Sequence, residues 1–292
     1  MSKIIVIVGP TATGKTKASI ELAKILDAEI INADSTALYK EPIIATAKVK
    51  ESEMCGITHH MLDLITLNEQ YSIYDYQING RKILDELISK NRNIIIVGGS
   101  GLYIKALLYD YELSNEEKKE YDFSDKTNEE LKNMADKIAS NDIHVNNRKR
   151  LERFISYYNN TGMVLTEKQI TNKRLYDFDV IGLDADREEL YNYINKRCDV
   201  MFDEGLLDEA RQIYSKNYKF FSNIIGFKEL KLYFDGKLSL DEAKDLIKQN
   251  TRHYAKRQLT WFKNQMDNIK WFDVNYNNFD ETLDKIKKYL NL

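Results

Sequence analysis

Residues 3–16, Lys3-Ile-Ile-Val-Ile-Val-Gly9-Pro-Thr-Ala-Thr-Gly14-Lys15-Thr16, decide the fold of this 292-residue chain. The first half is a continuous β-branched run, which is typical of a parallel strand covered on both faces. The second half matches G-x-x-x-x-G-K-[ST], and residues 15–27 continue it with apolar side chains at helical spacing. A strand, a glycine-rich loop and a helix in this order predict a phosphate-binding loop, in which backbone N–H groups at the start of a helix bind an anion.

Two more stretches of sequence have the form of a buried strand followed by a polar loop. Ile30-Ile31 leads into Asn32-Ala33-Asp34, and residues 93–97 lead into Gly98-Gly-Ser-Gly101. An amphipathic helix is predicted between them, over residues 78–90. This alternation predicts an open, mostly parallel α/β sheet, and ligands bind such sheets at the carboxyl ends of the strands. Because the later strand ends in glycine rather than in the acidic residue of ATPases, diphosphate as a leaving group is favoured over nucleotide hydrolysis.

The domain organisation follows from a change in composition near Leu113, where Glu, Lys, Asp and Asn replace the strand pattern. Residues 113–176 are therefore predicted to form a helical insertion domain. The α/β core, similar to that of P-loop NTPases, is predicted over residues 1–112 and 177–292. Strand character returns at residues 179–183, a capped helix follows, and the chain is predicted to end in helices.

Composition and charge limit the classes of function. Lys plus Arg is 43 and Asp plus Glu is 46, for a formal net charge of −3, so any nucleic-acid site has to be a local basic patch. The two cysteines, Cys55 and Cys198, exclude a disulfide scaffold and suggest a reducing compartment. No apolar run reaches the roughly 20 residues of a membrane span, and no secretory signal precedes the first strand. These features predict a cytoplasmic protein.

Four polar residues in or near the predicted loops are candidates for chemistry. Asp34 follows a strand, and its carboxylate is equally suited to catalysis, as a base or through Mg2+, and to capping a turn. Ser100 lies among three glycines, where its hydroxyl can approach a phosphate or a base, although as a pattern this is weak. His59 and His60 are adjacent on an extended segment and point to opposite sides, which favours one packed and one surface histidine over a metal site.

Two segments are locally basic in this acidic protein. Residues 146–153 concentrate four cations in eight positions, and residues 251–263 contain no acidic residue. On a helix, Arg252, Lys256 and Lys263 would share one side. Such a side suits an RNA backbone, but a solvated helix face is the more common explanation for either segment alone.

Taken in order, these motifs resemble the tRNA dimethylallyltransferases, also called tRNA isopentenyltransferases. The resemblance is carried by Gly9–Thr16, Ala33-Asp34-Ser35, Leu38-Tyr39-Lys40, Thr46-Ala47-Lys48, His59–Asp63, Gly98–Tyr103, Arg150-Leu-x-Arg153, Ile225-Gly226-Phe227 and Thr251–Trp261. The ordered set is far more specific than any single motif. The resemblance implies transfer of a dimethylallyl group from dimethylallyl diphosphate to N6 of the adenine immediately 3′ of the anticodon in tRNA, with release of diphosphate.

The resemblance also implies a role for each matching position. Diphosphate would bind through Gly9, Thr11, Ala12, Thr13, Gly14, Lys15 and Thr16, and Mg2+, the implied cofactor, would bind to Thr16. Asp34 would be the general base, Ser100 would lie at the mouth of the reaction channel, and Arg197 would be a second diphosphate-binding cation. The anticodon stem-loop would contact Asp34, Ser35, Thr36, Ala37, Ser100, Lys149, Arg150, Leu151, Glu152, Arg153, Asn223, Ile224, Ile225, Gly226, Phe227 and Lys228.

The sequence departs from the family pattern at Glu41-Pro42-Ile43, Val49 and Lys228, which concerns tRNA contact more than the chemistry. Three alternatives stay open. A small-molecule or nucleoside kinase would use the loop for ATP, an RNA-binding module would switch with nucleotide, and a related enzyme would act on free adenine nucleotides. We expect a monomer whose partners are tRNA and dimethylallyl diphosphate, without membrane contact.

Overall fold

The computed structural model describes residues 2–111, 121–164 and 173–292, which fall into two compact units. One unit consists of Met1–Tyr109 and Lys173–Leu292, and the other spans Asp110–Asn172. The sequence predicts the insertion at residues 113–176, in the same stretch of the chain. Leu113, where the composition changes, and the predicted helical residues 114–120 lie outside the described residues.

Strands and helices alternate along the described part of the first unit. Its strands are β1 (Ile4–Val8), β2 (Ala28–Asn32), β3 (His59–His60), β4 (Asn93–Val97), β5 (Asp179–Asp184) and β6 (Ile269–Asp273). The helices of the described ranges are α1 (Lys15–Leu26), α2 (Glu51–Met54), α3 (Ile73–Ser89), α4 (Gly101–Leu108), α5 (Asn128–Ile138), α6 (Arg148–Thr161), α7 (Arg187–Asp203), α8 (Leu206–Tyr214), α9 (Phe227–Phe234), α10 (Leu240–Gln265) and α11 (Phe279–Leu290). Within the described ranges, no helix combines the length and the apolar character that a membrane crossing requires.

The strands form one sheet in the order β3-β2-β4-β1-β5-β6, and each neighbouring pair is parallel. The central strand β1 is buried along its whole length because helices cover both faces of the sheet. α3, α4 and the end of α10 pack on the face with Val6, and α1 and α11 pack on the face with Ile7. The predicted fold class, a mostly parallel α/β sheet, is confirmed.

The C-terminal part of the sheet differs from the prediction that the chain ends only in helices. Residues 269–273 form the edge strand β6 beside β5, and α11 follows. Lys270 and Asp273 interrupt the apolar run on this edge strand, so the sequence pattern does not resemble that of the central strands. α3 also begins earlier than predicted, because Ser72 and Asp75 form a capping box at its start.

The second unit contains a helix pair with a small core of its own. α5 and α6 bury Leu131 and Phe154 in this core, among other apolar side chains. The guanidinium of Arg148 donates hydrogen bonds of 2.7 Å and 2.6 Å to the carbonyl oxygens of Lys126 and Phe123. This cation therefore ties the start of α6 to the segment before α5.

Candidate active site

Three loops meet at the carboxyl edge of the sheet, where β2, β4 and β1 lie side by side. The loop after β1 is the predicted phosphate loop, the loop after β4 contains Gly98 and Ser100, and the loop after β2 carries Asp34. The loops after β4 and β2 are in contact, since a Cβ on Gly98 would lie 2.2 Å from the carbonyl of Ala33. The backbone N–H of Ser100 also donates to the Ala33 carbonyl at 3.1 Å. The structure thus brings together the three loops that the sequence predicts at one edge.

The backbone of the phosphate loop depends on its small residues. Ala12 and Gly14 have positive φ angles of 69° and 78°, and a Cβ on Gly9 would lie 2.2 Å from the carbonyl oxygen of Leu183. Thr13 is fully buried and its hydroxyl donates to the Pro10 carbonyl at 2.9 Å, so this hydroxyl supports the loop and is not presented to a ligand. Because α1 begins directly after this loop, unpaired N–H groups and a positive dipole end are available to an anion.

Two cations lie at the phosphate loop. Lys15 Nζ donates to the Pro10 carbonyl at 2.6 Å, and Arg197 of α7 donates to the hydroxyl of Thr11 at 3.2 Å. Burial lowers the pKa of Lys15 to about 8, the negative charge of Asp34 opposes this shift, and the positive charge of Arg197 adds to it. Burial also lowers the pKa of Arg197, whose guanidinium nevertheless stays charged at neutral pH. The predicted cation Arg197 is therefore in contact with the predicted anion site.

Thr16 presents an exposed hydroxyl at the start of α1. This hydroxyl forms no hydrogen bond with a described residue, whereas the Thr16 carbonyl accepts one from Ser19. The described residues contain no cluster of three or more His, Cys, Asp or Glu suited to a metal. Mg2+ fits such a place, because it commonly binds through one or two protein oxygens, substrate phosphates and water.

The two carboxylate oxygens of Asp34 differ in their contacts. Oδ1 accepts hydrogen bonds from the N–H and the hydroxyl of Thr36, at 3.1 Å and 2.8 Å, and caps the 3-10 helix Ser35–Leu38. Oδ2 accepts no hydrogen bond from any described residue and lies near Gly99, 3.7 Å from the position of a Cβ there. The structure shows the capping role of one carboxylate oxygen and leaves the other oxygen available to a ligand.

Ser100 connects the loop after β4 to the loop after β2. Its hydroxyl oxygen accepts a hydrogen bond from the N–H of Ser35 at 3.1 Å and donates to the Ser35 hydroxyl at 3.3 Å. Tyr254 of α10 lies near Ser100, and burial raises the pKa of that tyrosine, so its hydroxyl stays protonated. Ser100 therefore holds the backbone beside Asp34.

Two further side chains, to which the sequence analysis assigns no role, contact these loops. Gln258 accepts a hydrogen bond from the N–H of Thr11 at 2.8 Å and donates one to the Gly99 carbonyl at 3.0 Å. The hydroxyl of Tyr276 donates to the Ala12 carbonyl at 3.1 Å. The available signal for Gln258 was a polar residue on the apolar side of an amphipathic helix. Tyr276 lies in a loop without periodicity, so no signal marks it.

A cavity of about 150 Å³ opens beside the Asp34 loop. It is lined by Ser35, Thr36, Leu38, Tyr39, Ile65, Tyr71, Tyr103, Asn223 and Ile224. Residues of the predicted segments 35–37 and 223–228 line the same cavity, so these segments come together here. Aromatic rings beside amide and hydroxyl groups can stack on a nucleobase and hydrogen-bond to its edge.

Several side chains predicted to contact RNA are occupied within the protein, which corrects the predicted set. Leu151 and Phe227 are 0% exposed and pack in hydrophobic cores. Ala37 is also buried, and the buried N–H of Gly226 donates to Glu229. The carboxylate of Glu152 pairs with Arg148 at 2.7 Å. The predicted residues that remain exposed in these segments are Lys149, Arg150, Arg153, Asn223 and Lys228.

The adjacent histidines form strand β3 and lie outside this set of loops. His60 Nε2 contacts a carboxylate oxygen of Glu29 at 2.7 Å, and His59 Nδ1 contacts the Ile57 carbonyl at 2.9 Å. Both rings are half-buried, so the predicted division into one packed and one surface histidine is wrong. Each ring instead contacts a neighbouring acceptor.

The basic side of α10 borders an open groove of about 490 Å³. The groove is lined by His253, Lys256, Arg257, Thr260, Trp261, Asn264 and Gln265. Arg252 and Lys263 are engaged nearby, by a 2.6 Å hydrogen bond to Asn195 and a 2.9 Å ion pair with Asp184. Of the three cations predicted to share one side of this helix, Lys256 is exposed and available to a ligand.

Known proteins with similar sequences and structures cover nearly the whole chain. Residues 37–265 match the family model described as IPP transferase. The tRNA dimethylallyltransferase of Anoxybacillus flavithermus is 41% identical over 300 residues, covering 99% of this chain and 96% of that protein. The full-length tRNA isopentenylpyrophosphate transferase of Bacillus halodurans superposes with a TM-score of 0.75 at 35% identity, covering 100% of this chain and 96% of the other. A eukaryotic dimethylallyltransferase acting on tRNA superposes with a TM-score of 0.80 at 26% identity, covering 99% and 78% of the two chains.

Proposed function

The chain belongs to the IPP transferase family together with the tRNA dimethylallyltransferases, and from this we propose that it transfers a dimethylallyl group from dimethylallyl diphosphate to N6 of the adenine immediately 3′ of the anticodon in tRNA. Family membership makes it a tRNA-modifying prenyltransferase. One structural observation supports the assignment of roles. The free Oδ2 of Asp34 lies at the same sheet edge as a phosphate loop that two cations flank, and β4 ends without an acidic residue.

We propose that the phosphate loop binds the diphosphate of the donor. Its N–H groups surround an anion, and Lys15 and Arg197 take up the negative charge that grows as the carbon–oxygen bond breaks. Positioned charges of this kind stabilise the transition state more than the ground state, because the leaving diphosphate gains charge during the reaction. Mg2+ held at Thr16 would supply further positive charge to the same leaving group.

We propose that Asp34 is the general base for the acceptor. The exocyclic amine of adenine is a poor nucleophile, because its lone pair is delocalised into the ring. N6 forms a bond to the allylic carbon, the bond from that carbon to the diphosphate oxygen breaks, and the proton of N6 passes to Oδ2 of Asp34. The two hydrogen bonds from Thr36 hold the opposite oxygen in place during this transfer.

The acceptor adenine has to leave its stack to reach the sheet edge, at a cost of about a few kcal/mol. We propose that the cavity beside Tyr39, Tyr103 and Asn223 takes part in binding the unstacked anticodon loop. The exposed cations Lys149, Arg150 and Arg153 of α6 are proposed to bind the RNA backbone.

Incubation with radiolabelled dimethylallyl diphosphate and an anticodon stem-loop tests the proposal. Label should enter the RNA, and mass spectrometry of the digested product should locate it on the adenine immediately 3′ of the anticodon. A stem-loop with guanine at that position is the matched control and should stay unlabelled. Consumption of ATP with no labelled RNA would overturn the proposal and restore the kinase alternative, and labelling of free adenosine monophosphate alone would restore the adenine-nucleotide alternative.

A further inference from the structure

Gln258 joins two loops to which the proposed mechanism gives different substrates. Its side chain is buried, with 5% exposure, and lies between the phosphate loop and the loop after β4. Oε1 accepts the N–H of Thr11, and Nε2 donates to the carbonyl of Gly99. Because one partner is a donor and the other an acceptor, the orientation of the amide is fixed, and movement of either loop strains the bond to the other.

The packing around this amide leaves little room for adjustment. A Cβ on Gly99 would lie 2.0 Å from Nε2 of Gln258, and a Cβ on Gly101 would lie 2.0 Å from the ring of Trp261 on the same helix. α10 therefore fits against the bare backbone of this loop at two points one turn apart. A rigid contact of this kind transmits a displacement instead of absorbing it.

The connection continues beyond Gly99 to the proposed base. Ser100 follows Gly99 in the chain, and its hydroxyl accepts the N–H of Ser35, the residue after Asp34. The hydrogen bonds of Gln258 and Ser100, together with the peptide bond between Gly99 and Ser100, thus connect Thr11 in the phosphate loop to the backbone that holds Asp34.

We propose that Gln258 is a positioning residue that couples the two substrate sites, so that donor diphosphate in the phosphate loop strengthens binding of the acceptor RNA. The inference rests on the proposed function and adds to it a route of communication. Diphosphate that contacts the phosphate loop fixes Thr11, Gln258 then fixes Gly99, and the loop with Ser100 and Asp34 is held ready for the adenine. By linkage, bound RNA strengthens donor binding by the same factor.

The test measures the affinity of an anticodon stem-loop by fluorescence anisotropy, with and without a saturating unreactive donor. The donor probe is the thiolo analogue of dimethylallyl diphosphate, in which sulfur replaces the bridging oxygen. Gln258→Met removes both hydrogen bonds at similar volume. The matched control is Gln249→Met, which makes the same change at an exposed position of the same helix.

In the unaltered protein and in Gln249→Met, the analogue should tighten stem-loop binding about fivefold or more, within the usual range of coupling between sites. In Gln258→Met the analogue should tighten stem-loop binding less than about twofold. The affinity for each substrate alone should change less than this tightening factor does. If Gln258→Met fails to fold, Gln258→Glu replaces it, because it keeps the acceptor for Thr11 and loses the donor to Gly99. The same fall in the factor is expected.

An equal factor in the Gln258 variant and the unaltered protein would overturn the inference, and so would the absence of any factor in the unaltered protein. Failure of the proposed function has a different signature. In that case the unaltered protein would transfer no dimethylallyl group to the stem-loop. If the unaltered protein does transfer the group, but Gln258→Met keeps the same coupling factor, only the role of Gln258 is contradicted.

Discussion

Arg197 donates a hydrogen bond of 3.2 Å to the hydroxyl of Thr11, although α7 and the phosphate loop are far apart in the chain. The contact arises because β5 pairs directly with β1, so the helix after β5 begins at the edge where the phosphate loop lies. A phosphate loop alone has one side-chain cation, here Lys15. The second cation gives this site a charge suited to a leaving diphosphate.

Arg197→Ala should therefore weaken transition-state stabilisation of the leaving group. We expect kcat to fall about 100-fold or more and the KM for dimethylallyl diphosphate to rise about tenfold, while tRNA affinity stays within twofold. Steady-state kinetics with varied donor checks this. Lys196→Ala, at the neighbouring exposed position of α7, is the matched control and should leave all three quantities unchanged. Near-normal kcat in Arg197→Ala would show that the guanidinium only supports the loop.

Asp34→Asn should abolish transfer and leave RNA binding intact. The asparagine side-chain oxygen can still accept the hydrogen bonds from Thr36, so the 3-10 helix stays capped, but the amide cannot take a proton from N6. We expect a fall in single-turnover rate of at least 100-fold, with a stem-loop Kd within twofold. Asp245→Asn on the exposed side of α10 controls for the loss of one charge. A normal rate in Asp34→Asn would leave Asp34 with the capping role alone.

The sheet and the position of its loops were predictable because local sequence determines them. Continuous apolar runs such as Ile4–Val8 can be buried only as central strands, and parallel strands bring the loops that follow them to one edge. β6 was missed because an edge strand with Lys270 and Asp273 lacks such a run. Its ladder with β5 depends on residues distant in the chain, to which local patterns give no access.

Local sequence predicted some residues of the site, and tertiary packing alone reveals the contacts of others. Gly9–Thr16 form a contiguous motif whose local geometry follows from glycine and from the start of a helix. Gln258 and Tyr276 reach the loop from far along the chain, and only the packing of α10 and of the loop before α11 reveals their contacts with it. Leu151 shows the opposite error, because a motif position adjacent to cations was predicted to bind RNA while helical periodicity directs it into a core.

Donor binding should depend on pH through Lys15. Burial lowers the pKa of this ammonium to about 8 in the protein without donor, so it loses its charge as the pH rises through that value. The kcat/KM for dimethylallyl diphosphate, which reports groups of the free protein, should be close to its maximum near pH 7, reach about half of it near pH 8, and fall by up to tenfold per pH unit above. Lys15→Arg keeps its charge over this range, so its profile should lack the alkaline fall. If Lys15→Arg showed the same alkaline fall in kcat/KM, that fall would have to come from the ionisation of another group.

Tyr276→Phe should weaken donor binding without affecting the acceptor. The hydroxyl holds the carbonyl of Ala12, a residue with positive φ, whereas the ring stacks on Tyr193 at 4.3 Å and is retained in phenylalanine. Loss of one hydrogen bond predicts a KM for dimethylallyl diphosphate about two- to tenfold higher. Kinetics with varied donor and varied stem-loop should show the change for the donor only. Tyr289→Phe, on the surface of α11, should change neither KM.

Arg150→Ala should reduce the affinity for tRNA and its dependence on salt. Arg150 is exposed on α6 with Lys149 and Arg153, and a cation that neutralises one phosphate releases about one counterion. The slope of log Kd against log salt should therefore fall by about one, with weaker binding at low salt. Filter binding of full-length tRNA between 50 and 200 mM KCl measures both quantities. Lys285→Ala, an equal loss of charge at an exposed position of α11, serves as the control and should keep the original slope. Removal of a cation that contacts no phosphate leaves this slope unchanged. If Arg150→Ala and the unaltered protein had the same slope, the RNA backbone would not contact Arg150.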